Sequence, residues 1–188
     1  MQNVKFRILG AGLLFATLAA LTGCAAAGTA VGAAAPVVSS SSDLSDADGY
    51  VPVGTTLTLD SDKPAVRNLQ PDLLNALKAA EPAAEARGTA ITLTDGWRAR
   101  RYQAYLFAQA VQKYGSEEEA AKWVKRPGES AHEAGAAVDI ATADAMDFLN
   151  RFGSEWGICQ VYANETWHFE LLTQPGGECP ALRSDGRG

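Results

Sequence analysis

Only two histidines occur in the 188 residues, so any imidazole chemistry runs through His132, His168 or both. His132 lies in Ser130-Ala131-His132-Glu133-Ala134-Gly135-Ala136-Ala137-Val138-Asp139, and His168 in Glu165-Thr166-Trp167-His168-Phe169-Glu170. A catalytic zinc takes three protein ligands from His, Asp and Glu and keeps one position open for water. His132, Asp139 and His168 would supply two neutral nitrogens and a carboxylate. Asp139 sits in an apolar stretch, where a carboxylate is costly unless it is paired or ligates a metal. The step from His132 to Asp139 suits a loop feeding a strand better than one helix face, and Gly135, Ala136 and Ala137 are small enough to let backbone approach closely around a metal. Glu165, three residues before His168, is placed to act as a base beside the open position. An iron oxygenase using two His and one carboxylate is the rival metal reading. Its His and Asp usually stand two residues apart, a spacing this chain lacks. A thiol nucleophile is a poor alternative, because neither Cys159 nor Cys179 has an adjacent His.

The order Ser-x-His-x-x-Gly-x-Ala-x-Asp followed by Glu-x-Trp-His is similar to the zinc D-alanyl-D-alanine carboxypeptidases of the VanY type. Relatives of that family are D,D-dipeptidases and some L-alanyl-D-glutamate endopeptidases. Ser130, His132, Gly135, Ala137, Asp139, Glu165, Trp167 and His168 carry the pattern. Upstream, Gly96-Trp97-Arg98 with Gln103 resembles the family's Gly-Tyr-Arg with a Gln five residues on, Trp standing for Tyr. The resemblance runs from Ala90 to about Leu172. It implies one zinc held by His132, Asp139 and His168, with Glu165 as general base and acid. It also implies Arg98 as the oxyanion stabiliser and Ser130, with Gln103 and Trp97, as substrate contacts. Those roles agree with general chemistry: zinc polarises a carbonyl, a carboxylate moves protons, and a guanidinium acts where charge develops. Asp95 is a candidate for binding a substrate amine. Arg100 and Arg101 read as a solvated helix face rather than as carboxylate binders. The implied substrates are peptidoglycan stem peptides, with removal of the terminal D-Ala as the expected reaction. The alternatives are an endopeptidase cutting inside the stem peptide or cross-bridge, and a non-catalytic lipoprotein that only grips cell-wall peptide.

The elements that must position these residues are legible in outline. Thr55 to Leu59 alternates like a strand. Pro71 to Arg87 reads as a helix, with Pro71 in the first turn, Gly88 as the stop and a kink or break expected at Pro82. Ala90 to Thr94 is strand-like and Arg100 to Tyr114 helical. Ser116 with Glu119 resembles a capping box that opens a short helix to about Val124. Ala136 to Ile140 reads as a strand, Thr142 to Phe152 as an amphipathic helix capped by Thr142, and Trp167 to Leu172 as a final strand. Alternation there predicts Trp167, Phe169 and Leu171 on the core face, with His168 and Glu170 towards a cleft. Glu170 is then a candidate to orient a ligand. The pattern is α+β. The resemblance adds a small antiparallel sheet flanked by helices with zinc in a cleft on the sheet, a D-Ala-D-Ala peptidase/Hedgehog-like fold.

Formal net charge is −6, with 22 acidic against 16 basic residues, which argues against a nucleic-acid binder. Lys5 and Arg7 precede an uncharged apolar run from Ile8 to Leu21, too short for an ordinary membrane span of about 20 residues. The run ends Leu21-Thr22-Gly23-Cys24, which resembles the lipobox of bacterial lipoprotein precursors and implies lipid on Cys24. Residues 1–23 are therefore read as a lipoprotein signal peptide, 24–48 as a flexible Ala/Ser-rich tether, and 49–188 as one zinc peptidase domain, expected to be monomeric. A tether of that length reaches roughly 25–30 Å. The protein is expected to be exported and anchored to the cell membrane, facing the cell wall or periplasm. Cys159 and Cys179, left over in an exported domain, are expected to form a disulfide. Cys24→Ala should move the protein from the membrane to the soluble fraction; wild-type protein with no lipid mass at its N-terminus would refute the anchor.

Overall fold

The structure is a computed structural model, and it describes residues 40–187. The leader, Cys24 and the tether up to residue 39 lie outside the described residues. Among the described residues no helix is long and apolar enough to cross a membrane.

Five short strands form one antiparallel sheet: β1 (Leu57–Thr58), β2 (Thr92–Asp95), β3 (Ala137–Ile140), β4 (Ile158–Gln160) and β5 (His168–Leu171). Their spatial order is β1-β2-β3-β5-β4. The helices are α1 (Pro64–Arg67), α2 (Pro71–Glu85), α3 (Arg100–Tyr114), α4 (Glu117–Ala120) and α5 (Ala143–Phe152). An α+β fold with a small antiparallel sheet, as expected, is what forms. The expected strand over 55–59 shrinks to β1, and β4 and α1 are additions that short, aperiodic segments do not announce.

One face of the sheet is closed by α2 and α5. Leu73, Leu77, Ala80 and Ala84 of α2 meet Phe148 and Leu149 of α5 over Leu93, Val138, Ile140, Ile158 and Phe169 of the strands. Thr142 caps α5 by accepting from the Ala145 amide at 3.2 Å. The predicted break at Pro82 does not occur, since α2 runs unbroken through it. Lys78 and Pro82 both lie on the exposed side. The carbonyl that loses its partner to the proline therefore faces water, and the break in the ladder is tolerated. The opposite face of the sheet carries a cleft, bordered by α3 and by the chain after α4. Ser116 caps α4 by accepting from Glu119, but the Glu119 carboxylate turns to Lys122, so the box is half formed.

Residues 41–43 and 46–48 form two 3₁₀ turns. Leu44 and Asp48 are buried, and Asp48 accepts from the Arg101 guanidinium and from Ser45. The boundary drawn at residue 49 thus falls inside a packed stretch, and Arg101 is tied to Asp48 rather than solvated. Beyond β5 the chain returns across the sheet edge. Cys179 is bonded to Cys159 of β4, with 5.7 Å between the Cα atoms, so the expected disulfide is present. Arg183 donates its amide to Val161 and accepts from Ala163, and the Gly186 amide reaches Lys122. The bridge spans 20 residues. In the chain-entropy account, closing such a loop contributes about 3 kcal/mol. A Cys159→Ala, Cys179→Ala protein should melt roughly 10 °C lower in a thermal scan; an unchanged midpoint would show that the C-terminal segment holds without the bridge.

Candidate active site

Register alone assembles most of the site. Asp95 of β2 stands opposite Asp139 of β3, and Asp139 opposite His168 of β5, so three titratable groups form a row across three strands. On β3 and β5 strict alternation suffices: Val138 and Phe169 pair in the core, and their neighbours Asp139 and His168 face the cleft. On β2 it does not. Leu93 pairs with core Ile140, and two residues on Asp95 would also face the core. An irregularity between Leu93 and Asp95 turns the carboxylate onto the cleft face instead.

His132 arrives from the turn over residues 130–136. Gly135 makes that turn possible with φ +67°, and a Cβ there would meet the Asn68 carbonyl at 2.3 Å. The close approach at Gly135 is thus to the chain after α1 rather than to a metal. Gly96 is crowded in the same way: a Cβ would lie 2.2 Å from the Ala65 carbonyl of α1. The Gly96 carbonyl in turn accepts from His132 Nδ1 at 2.7 Å, and the Arg98 amide donates to the His132 carbonyl at 3.1 Å.

Three ligand atoms converge. His132 Nε2 and His168 Nδ1 lie 3.1 Å apart, and each is 3.3 Å from Asp139 Oδ1. Ligands held at about 2.0–2.1 Å around a tetrahedral ion stand about 3.3 Å apart, so the set fits zinc. The outer atoms agree with this. The Gly96 carbonyl can only accept, which puts the proton on Nδ1 of His132 and leaves the Nε2 lone pair facing the cluster. His168 Nε2 donates to Glu170 at 3.0 Å, freeing its Nδ1, so Glu170 holds a candidate ligand. Asp139 Oδ2 accepts from Arg98 at 2.8 Å, leaving Oδ1.

The Arg98 side chain is 11% exposed and is held by three protein acceptors. Besides Asp139 it donates through Nε to Asp95 at 2.9 Å and through its second terminal nitrogen to Gln103 at 3.2 Å. Burial pushes the Asp95 carboxyl up, against the pull of Arg98. Asp139 is held well below the usual carboxylate range: burial opposes this, and the two imidazoles and Arg98 outweigh it. For His168 burial favours the neutral ring, but hydrogen bonds to Asp139 and Glu170 prevail and raise it to about 9. A proton and a metal ion therefore compete for this imidazole. Glu165 lies at the cleft with little exposure, and burial pushes it up to about 7, near the ideal for moving protons at neutral pH.

The cleft encloses about 240 Å³. Of the residues singled out from sequence, Asp95, Arg98, Gln103, Ser130, His132, Asp139, Glu165 and His168 all line it. Trp97 does not. Its amide is bonded to Ala65 and its carbonyl crowds Gly49, so it serves the frame instead. Asp95 lines the cleft but accepts from Arg98, Tyr102 and the Gly96 amide, which occupies it internally rather than leaving it for a substrate amine. Trp167 departs from the alternation rule. It precedes the strand proper, is 36% exposed and borders the cleft instead of the core. Sequence reasoning missed Lys125, Trp123 and Tyr162 on the cleft wall. The only signal was their closeness in sequence to Ser130 and Glu165.

Residues 66–156 match the VanY family, D-alanyl-D-alanine carboxypeptidase. The fold is shared with VanYB in complex with D-alanine-D-alanine: TM-score 0.52 and 22% identity, covering 56% of this chain and 72% of that one. It is shared with a variant of the vancomycin-resistance D,D-pentapeptidase VanY from a VanB-type cassette, in complex with Zn(II): TM-score 0.54, 20% identity, 65% and 83% covered. The LdcB LD-carboxypeptidase gives TM-score 0.51 at 25% identity, with 64% and 69% covered. A search of curated sequences finds no match. Residues 66–156 thus resemble the VanY family, and the fold is that of the D-Ala-D-Ala peptidases. Glu165 and His168 lie past the matched stretch and join it through the β3–β5 ladder.

The raised Glu165 group has a definite sign. Between its usual value near 4.5 and about 7 the folded state binds the extra proton, so stability falls as pH rises through that window, and the cost is complete above it. With metal chelated, Glu165→Gln should therefore be more stable than wild type at pH 8 by at least about 1 kcal/mol and no more stable at pH 4. Denaturant titrations showing the same difference at both pH values would contradict the buried carboxylate.

Proposed function

We propose that the chain is an exported, lipid-anchored zinc carboxypeptidase that removes the terminal D-Ala from peptidoglycan stem peptides. The observation that carries this is the trio of His132, Asp139 and His168, each with its outer atom already satisfied, beside a buried Glu165. Zinc, when bound, would supply polarisation of the scissile carbonyl and acidification of a water to a pKa of about 7. Glu165 takes the proton of the attacking water and returns it to the leaving amine; a carboxyl raised to about 7 serves both steps. Arg98 keeps a full positive charge at the cleft wall, aimed by Asp95 and Gln103, where it meets charge developing on the carbonyl oxygen. Because Arg98 also holds Asp139, its loss should weaken metal binding as well as turnover. Ser130 lines the cleft beside these groups as a substrate contact.

The likeness to an LD-carboxypeptidase favours a second reading, in which D-Ala is removed from a tetrapeptide after an L-residue. Two substrates separate them: a pentapeptide ending in D-Ala-D-Ala and a tetrapeptide ending in L-Lys-D-Ala, followed by mass spectrometry. Loss of one Ala from the pentapeptide supports the first reading, loss from the tetrapeptide alone supports the second, and internal cleavage would favour an endopeptidase. In each case Glu165→Gln should retain zinc by elemental analysis and lose about 10²–10⁴-fold in turnover. Wild-type turnover in a zinc-loaded Glu165→Gln protein would overturn the assignment.

A further inference from the structure

The cations of the cleft differ in how they are occupied. Arg98 is bound to Asp95, Asp139 and Gln103. Next to the cleft wall, Lys122 pairs with Glu119 and Arg126 with Glu117. Lys125 lines the cleft, half-buried, and among the described residues no carboxylate lies within ion-pairing distance of its ammonium. The ammonium sits 5.8 Å from the centre of the Tyr162 ring, which lines the same cleft as Glu165.

Its backbone, by contrast, is pinned. Gln103, itself fully buried, donates its amide to the Lys125 carbonyl at 2.7 Å. Three residues earlier the Lys122 carbonyl accepts from the Asn164 side chain at 2.8 Å and from the Gly186 amide at 3.0 Å. A fixed base carrying an uncommitted charge at a cleft wall is what anion recognition needs, because little ordering remains to be done when the anion arrives.

We propose that Lys125 binds the free C-terminal carboxylate of the peptide and so sets the cleft for removal of a single terminal residue. The inference rests on the peptidase reading and deepens it. Glu165 must meet the amine of the leaving residue, and in a one-residue leaving group the carboxylate is two bonds from that amine. Lys125 and Glu165 line the same cleft, so an ammonium on that wall is available to the carboxylate of the leaving residue. Internal cleavage would place a neutral amide there and leave Lys125 unanswered. The same chemistry has another source in a stem peptide, the free carboxylate of its glutamate, and the test separates the two.

The experiment is a calorimetric titration of zinc-loaded, full-length Glu165→Gln protein, in which turnover is slow. Three ligands are compared: the stem pentapeptide as free acid, its C-terminal carboxamide, and the free acid with the glutamate carboxylate amidated. The free acid should bind about tenfold to a hundredfold tighter than the terminal carboxamide, and amidating the glutamate should change little. Adding Lys125→Met should abolish the preference, and Lys125→Arg should keep most of it, which excludes simple misfolding. The proposal is overturned if acid and carboxamide bind alike, if no binding is measurable, if the preference survives Lys125→Met, or if it follows the glutamate carboxylate. Hydrolysis by the wild-type protein is scored separately: a Lys125-dependent preference in a protein that cleaves no stem peptide would sink the peptidase reading and keep the carboxylate site.

Discussion

A carboxylate in the middle of a sheet is the constraint on which the rest of the structure depends. Asp139 sits in β3 between two other strands and is 7% exposed. A charge in that position is tolerable only if it is compensated on every open side. One oxygen meets Arg98 and the other faces two imidazoles. Each partner then needs support of its own: Arg98 from Asp95 and Gln103, His132 from the Gly96 carbonyl, His168 from Glu170. The network is closed, so removing any member leaves a buried polar group unanswered.

The backbone yields wherever that network demands it. The irregularity in β2 exists because Leu93 belongs to the core and Asp95 to the cleft, and two-residue alternation cannot deliver both. Glycine occupies positions 96 and 135 because chain around α1 passes 2.2 and 2.3 Å from where a Cβ would stand. The glycines of the two motifs thus serve backbone packing against α1 and the residues that follow it, and the metal-facing atoms are placed only as a result.

The sequence was most readable where chemistry was scarce. Two His in the whole chain, an Asp in an apolar strand and a Glu three residues before a His left few ways to build a site. Helices with long periodic faces, α3 and α5, were legible almost to the residue. The internal partners of Asp95 and Trp97 were not legible, because sequence reveals the type of a group but not which neighbour it meets. The bulge in β2, the packing of the 3₁₀ turns before residue 49 and the one-turn helix α1 depend on tertiary partners distant in sequence, Arg101 for Asp48 and Ala65 for Gly96 and Trp97. No local pattern encodes such contacts.

The site divides into two halves of different origin. The half within residues 66–156 holds Arg98 just after β2, His132 in the turn before β3 and Asp139 on β3, and is stiffened by the core against α2 and α5. The other half, Glu165 and His168, hangs on β5 at the far side of the ladder. Its partner strand β4 is fixed by the Cys159–Cys179 bridge and by the returning C-terminal segment. That same segment, through Gly186, and Asn164 beside Glu165 clasp the Lys122 carbonyl and hold the wall that bears Lys125. Glu165 and the cleft wall are therefore positioned by one unit, bonded covalently to the sheet, while Asp95, Asp139 and His168 are aligned by the strand pairing itself. A change in the C-terminal segment would act on Glu165 and the cleft wall without disturbing the strand pairing that aligns Asp95, Asp139 and His168.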